Sequence, residues 1–438
     1  MERTWHKPLP AADLLIRGGR VVDPLCGVDA VQDVLVKRGK IAETGKGLAA
    51  PKGAREVDAD GMLVLPGFVD LHTHLRVPGR EHEEDVASGT LAAAAGGYVK
   101  VFSMANTDPV IDTAIVLRGL VGTARAEAVV PAGFYAAVTR GLKGERLTEM
   151  AELAEAGAVA FSDDGRPLAT AALVRRALQY ARITGRTVAI HAQDDSLFKG
   201  GQMHEGPASA RLGLGGIPSL CESLDVARAL EVAAYEEAPL HVHHVSCSAT
   251  LEHLRRAKAA GLKVTVEATP HHLTMTDEAV SSLDSNLKMN PPLREEADRQ
   301  ALVEALQSGL VDCVATDHAP HAPMSKDVPF EEAAFGTTGL ETAFAVLYTD
   351  LVKKGALDLG TLVTRMSQAP AAIAGVEPPA IRPGAVADLC VVDPRATWTV
   401  TGDGFKSRSS NSAFIGRQLS GRVRLTLAAG RVAWEADA

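Results

Sequence analysis

The chain has 438 residues, 46% of them hydrophobic and 23% charged, and 45 basic against 54 acidic residues give a net charge of −9. This acidic balance disfavours a nucleic-acid binder, which needs a basic face. The 5 cysteines are scattered and never form a CxxC pair, which disfavours a disulfide-held fold. MERTWHKPLP lacks the apolar core of a signal peptide, and no apolar run reaches the roughly 18 residues of a membrane span. We therefore expect a soluble cytoplasmic protein.

The two ends of the chain share a β-rich pattern. Residues 13–45 and 386–436 contain short alternating apolar stretches punctuated by glycine, which is typical of β-hairpins. We predict that both ends assemble into one small β-sandwich domain, formed by residues 1–65 and 378–438.

The middle of the chain, residues 66–377, alternates strand-like and helix-like segments. Apolar runs predict strands at 63–71, 98–104, 129–138, 157–162, 187–192, 240–246, 263–268 and 311–316. Stretches rich in Ala, Leu, Glu and Arg predict helices, for example at 83–96, 147–156, 169–184, 218–236, 248–260, 294–308 and 339–354. This α/β alternation favours a parallel sheet, and eight strands is the number that closes a (β/α)8 TIM-type barrel. An open doubly wound sheet is the alternative, but the glycine fingerprint that it often carries is missing after the first strand.

Metal-ligand residue types follow the predicted strands, at the ends where barrel enzymes hold their active sites. The first strand ends in DLHTH, and His72 and His74 share one side because a strand has a period of two residues. His191 ends the fifth strand, His244 the sixth, and Asp317 the eighth. Together these residues predict a metal site at one end of the barrel.

Asp163 and Asp164 follow the fourth strand. Histidines and carboxylates together form a ligand set suited to two Zn²⁺ ions, and two metals about 3.5–4 Å apart need a bridging ligand, which a carboxylate such as Asp164 could supply. In the HVHHVS segment, His241 and His243 share one face of the strand and His244 lies on the other. We expect one of these faces to pack against helices, so not all three histidines can be ligands.

Several segments together resemble the amidohydrolase superfamily and, within it, the bacterial type I dihydroorotases. The segments are PGFVDLHTHLRVPG (66–79), MANTDP (104–109), FSDDG (161–165), IHAQD (190–194), HHVS (243–246), KMNPPLR (288–294), TDHAPH (316–321) and FGTTGLET (335–342). They extend over the whole predicted barrel. The most specific feature is the order of DLHTHLRVPG, MANTDP and TDHAPH.

The resemblance implies a zinc-dependent enzyme of pyrimidine (UMP) biosynthesis that reversibly cyclises N-carbamoyl-L-aspartate to L-dihydroorotate. It implies two Zn²⁺ ions per subunit, bridged by Asp164 and by a hydroxide that acts as the nucleophile. Asp317 would bind metal and shuttle the proton. The other metal ligands that it implies are His72, His74, His191 and His244. The resemblance also implies a spacing of 27 residues from the bridging carboxylate to the next histidine ligand, and Asp164 has this spacing to His191 (191 − 164 = 27), whereas Asp163 does not.

The resemblance also implies a substrate site and partners. The implied substrate-binding residues are His74, Arg76, Asn106, Asn290, His321, Phe335 and Gly336. A homodimer is expected, and an aspartate carbamoyltransferase is a possible partner, whereas no nucleic-acid or membrane partner is expected.

Two alternatives stay open. Another cyclic amidohydrolase, such as an allantoinase or a hydantoinase, would carry a carboxylated lysine on the fourth strand, where this chain has FSDDG. Lys100, on the second strand, is expected either to lie near the barrel wall or to pair with a carboxylate, and not to be a carboxylated lysine that bridges metals. The other alternative is a non-catalytic dihydroorotase-like subunit that scaffolds aspartate carbamoyltransferase, but such subunits lose metal ligands.

Overall fold

A computed structural model of the chain describes residues 3–437. The strands are β1 (Leu14–Asp23), β2 (Val28–Lys37), β3 (Lys40–Gly45), β4 (Arg55–Asp58), β5 (Leu63–Pro66), β6 (Phe68–Thr73), β7 (Tyr98–Ser103), β8 (Ala132–Phe134), β9 (Phe161–Ser162), β10 (Val188–Ile190), β11 (Met203–His204), β12 (Gly216–Ile217), β13 (Leu240–Val242), β14 (Val264–Ala268), β15 (Cys313–Val314), β16 (Leu389–Thr399), β17 (Gln418–Ala428) and β18 (Arg431–Glu435). The helices are α1 (Val86–Ala95), α2 (Ala114–Glu127), α3 (Met150–Ala156), α4 (Ala171–Thr184), α5 (Asp195–Phe198), α6 (Pro207–Leu212), α7 (Leu220–Tyr235), α8 (Ser248–Ala259), α9 (Pro270–Thr274), α10 (Glu296–Ser308), α11 (Pro323–Lys326), α12 (Ala343–Leu347), α13 (Leu359–Met366) and α14 (Gln368–Ala374).

The two ends of the chain meet in one sheet. Its strand order is β18-β17-β16-β5-β1-β2-β3, and β4 pairs with β1. Apolar side chains from both ends, such as Ile16, Val34 and Leu389, are buried together in one cluster. Joint burial of these alternating residues holds the distant ends together, because it removes apolar surface from water. Strands from both ends of the chain therefore lie in one sheet, whereas the predicted domain bounds stay a prediction.

The strands between β5 and β16 include two parallel sheets. β6, β7 and β8 form one of them, and β9, β10, β13, β14 and β15 form the other. Isolated parallel bridges join Ala136 to Phe161 and Thr73 to His318. Each predicted strand of the middle region has a counterpart here, and helices alternate with these strands, so the α/β class is confirmed.

The first predicted strand, 63–71, is two strands in the structure. β5 ends at Pro66 and pairs with β1 and β16, whereas β6 begins at Phe68 and pairs with β7. Gly67 lies between them, and a Cβ there would overlap Val99. The chain changes sheet at this glycine. The apolar run conceals the change because the residues on both sides are buried.

Local signals explain the helix boundaries in most places. Asp85 caps α1 by accepting a hydrogen bond from the Ser88 N–H at 2.7 Å. The predicted helix 339–354 is wrong in its extent, because α12 covers only Ala343–Leu347 and a π-helical turn follows at Tyr348–Val352. The Gly339 N–H donates to His318 Nδ1 at 3.2 Å, which holds this segment beside the end of β15. Within residues 3–437, no helix has the length and apolar character that crossing a membrane requires.

Candidate metal centre and substrate cavity

The predicted metal ligands converge at the carboxyl ends of the parallel strands. They are His72, His74, Asp164, His191, His244 and Asp317, and all of them are buried. Because these parallel strands run in the same direction, residues that follow them meet at one edge. The shared placement predicted from the sequence is therefore present in the structure.

Asp164 faces two pairs of histidines. Its Oδ1 lies 3.3 Å from His72 Nε2, and its Oδ2 lies 3.6 Å from His74 Nε2. The same Oδ1 is 3.6 Å from His191 Nδ1 and 3.6 Å from His244 Nε2. A single carboxylate thus contacts both pairs, as a bridging ligand must.

Asp317 lies beside the first of these pairs. Its Oδ1 is 3.1 Å from His74 Nε2 and 3.5 Å from His72 Nε2. Burial opposes ionisation, but His72 and His74 together hold the pKa of Asp317 well below its ordinary value. The carboxylate is therefore ionised and can bind a cation or accept a proton.

Asp163 points away from the histidines. Its Oδ1 accepts hydrogen bonds from the backbone N–H groups of Val138 at 2.7 Å and Thr139 at 3.0 Å, and the Thr139 hydroxyl donates to Oδ2. Burial raises the pKa of Asp163 to about 6 despite these bonds. Of the two adjacent aspartates, Asp164 is the one directed at the ligand cluster.

The arrangement of donor atoms suits a cation. His72 Nε2 and Asp164 Oδ1 are buried without a hydrogen-bond partner, although an unpaired buried polar group costs about 1–3 kcal/mol. Donor atoms of His72, Asp164 and His244 all lie within 4.8 Å of one another, as do those of His72, His74 and Asp317. Imidazole and carboxylate donors in such groups are typical ligands of divalent transition metals. The residues present therefore fit a metal ion.

Three residues of the site have left-handed backbone conformations. The φ angles are 59° at Arg76, 26° at His244 and 49° at Asp317. Such conformations cost non-glycine residues on the order of 1–3 kcal/mol each and cluster at functional sites. The surrounding fold maintains this strain at residues that face the candidate site.

A cavity of about 610 Å³ opens over the ligands. This volume is within the range of small-molecule sites. The lining includes every substrate-binding residue that the resemblance implies, namely His74, Arg76, Asn106, Asn290, His321, Phe335 and Gly336. The structure thus brings the two groups of predicted residues together around one space.

Arg76 is a buried cation of this cavity. Its Nε donates to the Pro320 carbonyl at 3.0 Å, and its Nη2 lies 3.3 Å from His321 Nε2. Burial lowers the pKa of Arg76 to about 10, so its guanidinium remains charged at pH 7. Burial also lowers the pKa of His321 to about 4, which leaves that imidazole neutral. The guanidinium of Arg76 suits an anionic ligand.

Asn106 and Asn290 connect the cavity to the ligand cluster. Asn106 Oδ1 lies 2.9 Å from His74 Nδ1, and its Nδ2 donates to Asp164 Oδ2 at 3.2 Å. Asn290 Nδ2 lies 3.2 Å from His191 Nε2 and donates to Gln193 Oε1 at 2.9 Å. Both asparagines therefore orient candidate ligands as well as line the cavity. Gln193, within the IHAQD segment, was not singled out from the sequence.

Glu267 is a functional candidate that the sequence reasoning missed. It is fully buried in β14 and lies 2.7 Å from His72 Nδ1. His241 and His243 also face this carboxylate, each at 3.0 Å. His241 and His243 share one face of HVHHVS and meet a carboxylate there, whereas Val242, on the other face, is buried in the apolar core. The available signal was a single carboxylate within the otherwise apolar strand VTVEA.

Lys100 lies away from the ligand cluster. Its Nζ forms an ion pair with Asp388, which directly precedes β16. Pairing with a carboxylate is one of the two alternatives expected from the sequence.

The chain is similar to known proteins over nearly its full length. Residues 61–250 match the Dihydro-orotase-like family. The dihydroorotase of Geobacter metallireducens is 47% identical over 423 residues, which cover 97% of this chain and 100% of that protein. The dihydroorotase of Anaeromyxobacter dehalogenans is 46% identical over 426 residues, which cover 97% and 98% of the two chains.

Solved structures with the same fold include two hydrolases. The L-hydantoinase (dihydropyrimidinase) from Arthrobacter aurescens matches with a TM-score of 0.87 at 25% identity, covering 97% of this chain and 96% of that one. The dihydropyrimidinase from Brevibacillus agri matches with a TM-score of 0.83 at 25% identity, covering 96% and 94%. The ligand cluster and the full-length similarity agree: the chain belongs to the dihydroorotase family of amidohydrolases, which are hydrolases of cyclic amides.

Proposed function

We propose that this chain is a zinc-dependent dihydroorotase that interconverts N-carbamoyl-L-aspartate and L-dihydroorotate in pyrimidine biosynthesis. The observation that carries the proposal is the position of Asp164, whose carboxylate lies within 3.6 Å of a ring nitrogen of each of four histidines. The cavity above it holds a buried arginine, as an anionic substrate requires. Full-length similarity to dihydroorotases supports the same reaction.

We infer that residues 66–377 form a closed (β/α)8 barrel and that residues 1–65 and 378–438 form a β-sandwich domain. The parallel bridges support closure, because Ala136–Phe161 connects the β8 and β9 edges and Thr73–His318 connects the β6 and β15 edges. The eight-stranded terminal sheet, built from both ends of the chain, supports the second domain.

Two Zn²⁺ ions would be held at the ligand cluster. His72, His74 and Asp317 would hold one ion, His191 and His244 the other, and Asp164 both. When bound, the ions would supply a Lewis acid for the ring carbonyl and a water molecule activated near neutral pH. The unpaired and buried His72 Nε2 and Asp164 Oδ1 support this assignment.

Asp317 moves the proton. In ring opening, the water oxygen forms a bond to the ring carbonyl carbon, the C–N bond breaks, and the departing nitrogen gains a proton. Asp317 lines the cavity and is ionised, so its carboxylate can accept the proton of the attacking water and transfer it to that nitrogen. Ring closure uses the same carboxylate in the reverse direction.

Arg76 binds the substrate carboxylate, because a charged planar guanidinium can donate two parallel hydrogen bonds to it. Asn106 and Asn290 present amides to the ring from the cavity wall, and His321 lies next to Arg76. The backbone of Phe335 and Gly336 covers the substrate. Gly336 has a φ of 129°, and a Cβ there would approach Ala319 to within 2.6 Å, so a side chain is excluded at this place.

A hydantoinase or allantoinase is the second candidate, because hydantoinases are among the solved structures with this fold. Two features favour the first candidate. The fourth strand ends in FSDDG, which supplies Asp164 where a hydantoinase would carry a carboxylated lysine. The buried Arg76 suits a ring that bears a carboxylate. A non-catalytic scaffold is disfavoured because every implied metal ligand is present.

The test is an assay of the purified protein with L-dihydroorotate, allantoin and hydantoin side by side, with zinc counted. We expect turnover of dihydroorotate and two zinc ions per chain. Turnover of hydantoin or allantoin without dihydroorotate would favour the second candidate. A protein without zinc and without turnover would overturn the proposal and favour the scaffold.

We further infer that the chain acts in the cytoplasm as a homodimer and that it can associate with an aspartate carbamoyltransferase. Light scattering after size-exclusion chromatography tests both associations, first on the chain alone and then with the carbamoyltransferase. A monomeric mass for the chain alone would contradict the first inference, and separate elution of the two proteins would contradict the second.

A further inference from the structure

A carboxylate lies behind the candidate metal centre, outside the lining of the substrate cavity. Glu267 has no exposed surface, and its Oε1 lies 2.7 Å from His72 Nδ1. The other ring nitrogen of His72, Nε2, faces Asp164 at 3.3 Å and Asp317 at 3.5 Å. The imidazole of His72 therefore connects Glu267 to the proposed ligand cluster.

Glu267 is shared by several N–H donors. Its Oε1 is also 3.0 Å from His243 Nδ1, and its Oε2 is 3.0 Å from His241 Nε2. The backbone N–H of His244 donates to Oε1 at 3.4 Å. Burial opposes ionisation of Glu267, but the facing histidines hold its pKa well below the ordinary value, and an ionised carboxylate only accepts hydrogen bonds. A His72 ring that binds a metal through Nε2 therefore keeps its one proton on Nδ1, facing Glu267.

The carboxylate is itself held in place from both sides. The second nitrogen of His241, Nδ1, lies 2.8 Å from Thr265 Oγ1. The second nitrogen of His243, Nε2, lies 3.1 Å from Ser162 Oγ. Because the imidazoles are anchored at their far ends, Glu267 has a fixed position relative to His72.

We propose that Glu267 is a positioning residue that fixes the tautomer and the ring orientation of His72 for metal binding through Nε2. The inference rests on the proposed metal centre and extends it by one residue. A carboxylate on the second nitrogen of a ligating histidine also makes that histidine a stronger donor. His72 has no exposed surface, so solvent water cannot readily take the place of Glu267.

The second ring nitrogen of His74, another proposed ligand, has a neutral partner. His74 Nδ1 faces the amide oxygen of Asn106 at 2.9 Å. The negative charge of Glu267 is therefore placed specifically behind His72. Removal of that charge should weaken the metal on the His72 side more than the metal held by His191 and His244.

The test measures zinc affinity of the full-length protein by competition with a chromogenic chelator. We expect Glu267→Gln to raise the zinc dissociation constant of one of two sites by about 10–100-fold. Glu267→Asp keeps the charge and is expected to recover part of this loss. The matched control is Glu222→Gln, which alters another buried carboxylate that accepts from the Ser246 N–H at 3.0 Å. We expect its zinc affinity to equal that of the wild type.

A second readout separates positioning from a general structural role. Thermal unfolding of the metal-free Glu267 and Glu222 variants measures fold stability, and the absorption spectrum of the Co²⁺-loaded forms reports ligand geometry. An altered cobalt spectrum and a weakened site in Glu267→Gln would support the proposal. Unchanged zinc affinity in Glu267→Gln, or the same loss in Glu222→Gln, would overturn it.

Failure of the proposed role of Glu267 can be distinguished from failure of the proposed function. A wild-type protein that binds zinc and opens dihydroorotate, together with unaltered zinc binding in Glu267→Gln, would refute the role of Glu267 alone. A wild-type protein that binds no zinc would overturn both.

Discussion

Replacing Arg76 with alanine tests the anion-binding part of the cavity. The guanidinium is 6% exposed, and its Nε is already engaged by the Pro320 carbonyl at 3.0 Å. Nη1 and Nη2 can both donate to a bound carboxylate, although Nη2 also lies 3.3 Å from His321 Nε2. Glu83 Oε2 lies 3.6 Å from Arg76 Nε, but this carboxylate also forms an ion pair with Arg80, so Arg76→Ala leaves no isolated buried charge. We therefore expect Arg76→Ala to fold.

The expected loss can be worked from these contacts. Two hydrogen bonds to a charged group contribute about 1.5 kcal/mol each at the lower end, or about 3 kcal/mol together. Since about 1.4 kcal/mol corresponds to a factor of ten, kcat/KM for dihydroorotate should fall roughly 150-fold. The carboxylate takes no part in bond making, so the loss should be found mainly in KM. Zinc content should not change, because Arg76 is not a proposed ligand.

The assay compares dihydroorotate with dihydrouracil, which is the same ring without the carboxylate. We expect Arg76→Ala to leave competitive inhibition by dihydrouracil nearly unchanged, because that ring lacks the group that Arg76 binds. Arg80→Ala is the control, since Arg80 is adjacent but does not line the cavity. Equal weakening of both ring compounds, or unchanged kinetics with dihydroorotate, would refute the assignment.

Three further predictions concern other charged groups. Asp317→Asn should retain some zinc but lower kcat by about 10²–10⁴-fold, the usual contribution of a proton-transferring group, and near wild-type turnover would contradict the role of Asp317. Metal analysis should show that Asp164→Asn loses zinc and that Asp163→Asn keeps it. Asp163→Asn should instead lower the free energy of unfolding by about 1–3 kcal/mol, because it disturbs hydrogen bonds to the backbone. Equal zinc loss in both variants would be evidence against Asp164 as the bridge. Burial lowers the pKa of Lys326 from 10.5 to about 7. Between pH 7 and pH 10.5, Lys326 is therefore protonated in the unfolded chain but largely neutral in the folded one. The free energy of unfolding should accordingly rise with pH in this range, by up to about 1.4 kcal/mol per pH unit relative to Lys326→Met. Denaturant unfolding of both proteins at several pH values measures this difference, and parallel pH profiles would contradict it.

Much of the ligand cluster was predictable because the two-residue period of a strand relates residues that are close together in the sequence. The two-residue repeat placed His72 and His74 on one side, and their Nε2 atoms both face Asp164 in the structure. The alternation of strands and helices then implied that residues after different strands meet at one edge. His191 and Asp317 were located in this way without knowledge of any distance.

Periodicity could not resolve the HVHHVS segment. His241 and His243 on one face and His244 on the other are equally regular in sequence. Tertiary structure separates them: His244 adopts a φ of 26° and faces Asp164, while His241 and His243 contact Glu267 on the neighbouring strand. The deciding contact joins strands that are separated by a helix in the chain, so no local pattern encodes it.

By itself, the sequence determined the α/β class, the joining of the two ends and the residues available for metal and substrate, because repeat patterns and residue chemistry depend on near neighbours along the chain. Only the tertiary structure decided that the apolar run at 63–71 changes sheet at Gly67, that Asp163 bonds to the backbone while Asp164 faces the histidines, and that Glu267 lies behind His72. These outcomes depend on contacts between segments distant in the chain. A buried charge is costly unless it is paired or hydrogen-bonded, so these contacts determine where the charged side chains lie.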